Sequence, residues 1–442
     1  MASSNLNRTN TTTTSNRKAG TFSAWVKRTG LSAGQGLITG YVDSNNYSVI
    51  YFDSSDQLCY LETQGGSTEA FIRTSKLFRD TSGYYNIVVA IDTTEAETDR
   101  VKFYVNGVQE TALSSTNYPS DTTLNLFGDS TPIKVGEDTT GSPNYFDGLM
   151  SNIVFVDGLA YASTEFGEVD STSGIWKFKP PSGLTYGTNG FWLKGENSGA
   201  LGTDSSGNTN TFTTAGTPTQ AIDTPSSVMA TWNPLDNYFP NYNFSNGNTT
   251  ATHPNASNYH APSTATMGVS TGKWCWENKF VSTTQASNKW LGVGVTAMTK
   301  TASVDYFGKS DYDLCYYSID DVYRNNAKVA DLSTWTVGDI IGVALDVTNS
   351  LVYFYKNGAV ENSGTGFSLA AVGSSPNGVY RPAVGVYDSP EYVCSTNFGN
   401  GFFGTTQVSS AGTSSTGDDS IWEYDCPTGY YGLNTKNINT YG

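Results

Sequence analysis

Histidine is almost missing from this chain. Only His253 and His260 occur among 442 residues, which leaves too few imidazoles for a zinc centre. Cysteine is sparse as well. Cys59, Cys275, Cys315, Cys394 and Cys426 are scattered, no two are near neighbours, and no CxxC pair exists. An odd, dispersed count argues against a disulfide framework and predicts five free, mostly buried thiols. Charge is low at 14% of residues, and it is lopsided: 24 basic against 40 acidic groups, a net −16. No basic patch is present, so nucleic acid is not an expected partner. An acidic surface also repels anionic membranes. No apolar run approaches the roughly 20 residues that span a bilayer, so membrane insertion is not expected. The opening MASSNLNRTNTTTTSNRKAG lacks the apolar core of a secretory signal, which implies synthesis in a cytoplasm. Nor does any long stretch space its apolar residues helically between caps, so very little helix is expected.

What is abundant is glycine (46) and aromatic residues (28 Tyr, 21 Phe, 9 Trp), set among Asn, Ser and Thr. Disordered chains are poor in aromatics, so this chain folds. Glycine, threonine and ring residues suit short strands joined by tight turns.

One phrase is written twice. Residues 87–107 read IVVAIDTTEAETDRVKFYVNG and residues 340–358 read IIGVALDVTNSLVYFYKNG. Each is an apolar strand ending in Asp, a polar turn, an alternating strand, and then Asn-Gly. Asn106-Gly107 and Asn357-Gly358 suit positive φ and so close tight hairpins. The copies are too far apart for a solenoid repeat. They predict an all-β protein of two tandem antiparallel β-sandwiches. The expected organisation is a polar N-terminal arm over 1–19, a first domain over 20–215 and a linker over 216–227. A second domain follows over 228–407, then a linker and docked tail over 408–442. Trp25, Trp274, Trp276 and Trp335 alternate within strands and are expected in the cores.

The first domain resembles the laminin-G-like, concanavalin-A-like lectin domains of marine bacteriophage structural proteins. The resemblance rests on SNRKAGTFSAWVKRTG, LFRDTSGYYNIVVAIDTT, RVKFYVNG, YFDGLMSNIVFVDGLAY and GALGTDSSGNTNTF, in that order. The second is similar to SPRY (B30.2-like) domains through GKWCWE, WLGVGV, GDIIGV, VYFYKNG, RPAV and NFG. The resemblance implies two sandwiches of the jelly-roll/lectin-like and SPRY-like kinds, both binding modules without catalysis. It implies a virion component: a tail-fibre or appendage subunit recognising host-surface glycan or protein, or else a capsid or tail decoration contacting other virion proteins. Phage appendages are commonly homo-oligomers, which is the expected state here. The lectin-like part starts almost at Met1, which favours a compact knob, a short fibre tip or a decoration over a conventional long fibre.

Three constellations compete for a function. Glu95, Glu97 and Asp99 place three carboxylates at alternate positions, the raw material of a glycosidase. They fall in the turn between two strands, however, so a solvated loop tip is expected and no catalytic residue is assigned. Asp204, Asn208 and Asn210 put oxygen side chains in a spacing like that of calcium loops, without the closing Glu. An Asx turn accounts for them better, so no cofactor is expected and calcium is the alternative. The third is VDYFGKSDYDLCYYSIDDVYRNN, where the resemblance places the variable binding loops. Asp305, Tyr306, Tyr312, Tyr316, Tyr317, Tyr323 and Arg324 are the candidate ligand contacts, as rings that stack on sugars or anchor protein interfaces.

Overall fold

The computed structural model describes residues 4–11, 16–141, 143–237, 241–254, 260–284, 290–299, 305–387 and 391–442. Residues 1–3 and 12–15 of the expected arm lie outside them. The chain forms two units, Met1–Ala221 and Ile222–Gly442. Nearly all regular structure is strand. One α-helix, Thr435–Tyr441, is present among the described residues, and its N-cap Asn434 accepts the Asn437 amide at 2.8 Å. Among these residues no helix is long and apolar enough to cross a membrane.

In the first unit, described residues build an antiparallel sheet of eight strands. Their order is Leu113–Asn117, Ser67–Leu77, Gln57–Gln64, Asn46–Phe52, Gln35–Asp43, Pro132–Val135, Asn5–Thr9 and Thr213–Ala215. A second sheet of six runs Phe191–Leu193, Gly148–Asp157, Ala19–Arg28, Tyr85–Asp92, Val101–Val105, Val108–Gln109. Phe22, Ile38, Ile50, Phe52, Val89, Phe103 and Phe155 fill the space between them. The period-2 alternation decides which residues enter: Val101, Phe103 and Val105 are buried while Lys102 and Tyr104 are not. Arg28 is wholly buried in this unit. It is satisfied by Asp56 at 3.0 Å and the Phe78 carbonyl at 2.7 Å, and it lies over the Phe52 ring.

The second unit repeats the plan. A larger sheet contains Asn243–Ser245, Thr250–His253, Tyr392–Asn397, Lys273–Thr283, Ile340–Asp346, Leu351–Lys356 and Ala359–Val360, with Phe367–Ser368 and Tyr431–Gly432 attached. The facing sheet runs Ser263–Thr264, Arg381–Val386, Leu291–Thr296, Asp313–Tyr317, Asp321–Arg324, Ala327–Asp331. Trp232, Trp274, Trp276, Trp335, Val293, Tyr316 and Phe354 lie in its core.

The twice-written phrase is the same hairpin in both units. Each first strand pairs with the tryptophan-bearing strand, Ala19–Arg28 or Lys273–Thr283. Both turns have φ of 48° at Asn and 82° at Gly. The turn asparagine does further work. Asn106 Oδ1 accepts the Asn86 amide, and Asn357 Oδ1 accepts the Ile340 amide, each at 2.8 Å. Both glycines also lie under a ring from downstream, Trp176 over Gly107 and Tyr424 over Gly358, where a Cβ has no room.

Several expectations are corrected. The arm is partly a strand: Asn5–Thr9 pairs on both sides, with Pro132–Val135 and Thr213–Ala215. Part of the expected linker is folded. Thr224 and Ser227 pair backbone to backbone, and Asp223 accepts the Met229 amide at 3.3 Å. The five cysteines are not all free, because Cys275 and Cys426 form a disulfide, and Cys59, Cys315 and Cys394 remain as buried thiols. Strand pairing and the returning tail bring together two residues separated by 151 positions.

Candidate functional site

The smaller sheet of the second unit has an outer face floored by Gly292, Cys315, Tyr317, Ala383 and Gly385. The small residues let a turn settle directly on the strands. Phe307 is fully buried over Gly385, and its carbonyl accepts the Tyr317 hydroxyl at 2.7 Å. Rings gather around this platform from segments far apart in sequence. Trp290 and Tyr387 lie 5.0 Å apart between centroids. Tyr306 and His260 each lie 5.3 Å from Tyr387, and Tyr323 lies 6.5 Å from Tyr306. Tyr387 is exposed, and Trp290, Tyr306, Tyr323 and His260 are half-buried. Trp290 has a φ of 72°, a region that a bulky residue enters at a cost of order 1–3 kcal/mol.

The polar groups near these rings are mostly engaged. The Tyr306 hydroxyl donates to Asn326, and Asp305 pairs with Lys309 at 2.9 Å. Burial, then the neighbouring Tyr387 and Tyr323, raise the Tyr306 phenol above its ordinary pKa, so it stays a neutral donor. His260 Nδ1 is buried without a hydrogen-bond partner among the described residues. The surface therefore offers ring faces with a few oriented polar edges. That combination is the kind that stacks on a sugar ring or an apolar side chain.

The seven expected contacts separate into three groups. Tyr306, Tyr323 and Asp305 belong to the ring cluster or its border. Tyr312 and Arg324 do not: the Tyr312 hydroxyl donates to Ser374 O at 2.7 Å, and Arg324 clamps Asp311 at 2.7 Å and Ser368 O at 2.8 Å. They tie loops together elsewhere on the unit. Tyr316 and Tyr317 are buried, so their reading as surface contacts is corrected. Successive residues of one strand face opposite ways. Tyr316 enters the sandwich, and Tyr317 lies beneath the Phe307 turn. Sequence reasoning missed Trp290, Tyr387 and His260. The signal available for them was position, since Trp290 immediately precedes a strand and Tyr387 immediately follows one.

The other constellations are now placed. Glu97–Asp99 is a 3₁₀ turn, not a strand, so the alternation that would align three carboxylates is absent; Asp99 pairs with Lys102 at 3.0 Å. Asp204 organises its own loop. Oδ1 accepts the Trp192 and Ser206 amides at 2.9 and 2.8 Å, and Oδ2 accepts the Asn210 amide at 2.7 Å. Asn208 and Asn210 turn their amides onto the carbonyls of Gly187, Thr188 and Gly190. Asn210 Oδ1 accepts Arg8 at 2.6 Å. Asp320, Asp321 and Asp331 also converge, but the Lys328 ammonium bridges the last two.

Comparison with known proteins identifies a family match in each unit. Residues 2–163 match Laminin_G_3, the concanavalin A-like lectin/glucanases superfamily, and residues 273–401 match the SPRY domain. The protein thus carries a lectin-like domain followed by a SPRY domain, folds that point to binding. Among solved structures it is similar to the SPRY domain of human HERC1 at 23% identity, covering 37% of this chain and 96% of that one, with a TM-score of 0.31. A putative carbohydrate binding protein from Bacteroides ovatus is similar at 14% identity, covering 51% and 59%, with a TM-score of 0.35. A heptameric pentraxin from Limulus polyphemus is similar at 11% identity, covering 36% and 72%, with a TM-score of 0.28. No curated protein matches.

Proposed function

We propose that this protein is a non-enzymatic recognition component of a bacteriophage particle. It is a tail-fibre or appendage subunit that binds glycan or protein on the bacterial surface through the rings of its second unit. The observation that carries this reading is the cluster of Trp290, Tyr306, Tyr323, Tyr387 and His260, built on a platform of small residues with Trp290 in a costly backbone conformation. The phage setting rests on the sequence resemblance. The protein is made in the host cytoplasm and assembles with other virion proteins as a homo-oligomer. Linked copies raise avidity by roughly 10²–10⁴ over one shallow site. Its net −16 charge fits neither nucleic-acid nor anionic-membrane binding.

A second reading is a decoration or connector within the particle. It is favoured by Val108, Val169 and Ile175 of the first unit, apolar side chains that are each more than half exposed. The test is to incubate the full chain with bacterial cells and with a glycan array while monitoring polysaccharide cleavage. Saturable binding without cleavage supports recognition. Cleavage, or no binding to cells or glycans, overturns it.

A further inference from the structure

The outer face of the larger sheet in the second unit is covered by the chain's own C-terminal segment. Cys275, Ala344, Tyr353 and Tyr355 point out of the sandwich and meet Trp422, Cys426 and Tyr430. The segment has a root and a tip that are held differently. The root is part of the sandwich: Tyr431–Gly432 pairs with Trp274 and Cys275, Leu433 is in the core, and Leu433 O accepts the Ala230 amide. The tip, residues 408–427, folds back on itself. Gly412 bridges Trp422, and Asp425 accepts the Thr413 amide at 2.7 Å.

Upstream the tip is anchored to the sandwich: Ile421 lies between Asn397 and the Gly399 carbonyl, and Asp418 accepts the Gly432 amide and Asn437. Its end, residues 423–426, is fastened by two neighbouring groups on one strand face. Cys275 is bonded to Cys426. Glu277, two residues along, accepts the Glu423 and Tyr424 amides at 2.9 Å and the Asn397 side chain at 3.0 Å. One latch is covalent and redox-dependent, the other is a set of hydrogen bonds, and both hold residues 423–426.

We propose that the end of the tip, residues 423–426, is a redox-controlled cover: the Cys275–Cys426 bond locks it over the sheet, and reduction lets it open while the sandwich and the anchors at Asp418 and Ile421 stay folded. A dithiol carries out the release with atoms balanced. Its thiolate attacks one sulfur, its second thiol resolves the mixed disulfide, and it leaves as a cyclic disulfide. Two electrons and two protons pass to Cys275 and Cys426, which become thiols. Opening uncovers the apolar ridge of Ala344, Tyr353 and Tyr355 beside Gly342. A protein made in a reducing cytoplasm and released outside it meets both states, a context that rests on the proposed function; the latch itself does not depend on it.

The experiment is hydrogen exchange with mass spectrometry on the full chain, oxidised and after dithiothreitol, paired with thiol alkylation of the unfolded chain. Oxidised protein should label only Cys59, Cys315 and Cys394. Reduction, or Cys426→Ser, should speed exchange at residues 423–426 by at least about tenfold, while Leu291–Thr296 and Tyr431–Gly432 stay protected. Adding Glu277→Gln to Cys426→Ser should speed it further. Labelling of all five cysteines in the oxidised chain would overturn the proposal. So would unchanged exchange on reduction, or loosening of the whole unit together.

Discussion

Among the described residues, Glu62 in the first unit and Glu277 in the second are buried carboxyls that the fold prefers protonated. Burial lifts Glu62 to about 7, against the opposing pull of Ser48, Gln64, Tyr60 and the Asn125 amide. Burial does the same to Glu277, also to about 7, with the Glu423 and Tyr424 amides and Asn397 pulling the other way. The ordinary value for both is 4.5. Between pH 4.5 and 7 the folded chain therefore holds more protons at these sites than the unfolded chain does. Stability from each site is fully present below 4.5 and is lost as the pH rises through 7. The span is 7 − 4.5 = 2.5 units, which at about 1.36 kcal/mol per unit sets a ceiling near 3 kcal/mol per site. Depressed carboxyls do not confuse this window. Asp56, Asp339 and Asp346 are held below their ordinary value, despite burial, by hydrogen bonds and cationic neighbours, so their contribution is lost only as pH falls below about 4. Urea unfolding followed by hydrogen exchange in peptides from each unit measures the effect. Wild-type stability should fall in both units from pH 4.5 to 7.5. Glu62→Gln should flatten the slope in the first unit only, and Glu277→Gln in the second only. A rise in stability across this window, or an unchanged slope in either variant, would refute the reasoning.

Asp56→Asn should destabilise the first unit by about 3 kcal/mol or more, read by urea unfolding, because it leaves Arg28 buried without its counter-charge. Asn tolerates the φ of 66° at this position, so the loss reports the charge and not backbone strain. Chelation with EDTA should leave the thermal midpoint unchanged, since amides already occupy the oxygens of Asp204; a fall of several degrees would show a bound cation. Gly358→Ala should cost roughly 1 kcal/mol or more in the second unit, measured the same way, because φ is positive there and Tyr424 fills the space.

The hairpins were legible because their information is local. Alternation fixed the faces of Val101–Val105, and Asn-Gly fixed the turns that close both copies. The strand Asn5–Thr9 was not legible, because it reads NLNRT and takes its partners from residues far along the chain. The disulfide was hidden for a similar reason: its geometry comes from a tail returning across a sheet, and no local spacing records that. The ring cluster was half legible. Tyr306 and Tyr323 lie in one dense aromatic stretch, whereas Trp290, Tyr387 and His260 meet them only through the ends of separate segments. The adjacent pair Tyr316-Tyr317 misled because covering of a sheet's outer face by a turn leaves no mark in the strand's own sequence.

The central claim is that the second unit works through the rings around Tyr387. The direct measurement is the affinity of wild-type, Trp290→Ala and Tyr387→Ala chains for whichever cell-surface or array ligand the wild type captures, with thermal midpoints recorded alongside. Losing a stacking ring should weaken binding by about tenfold or more while Tyr387→Ala keeps its midpoint. Unchanged affinity in both variants, with both folded, would contradict the account.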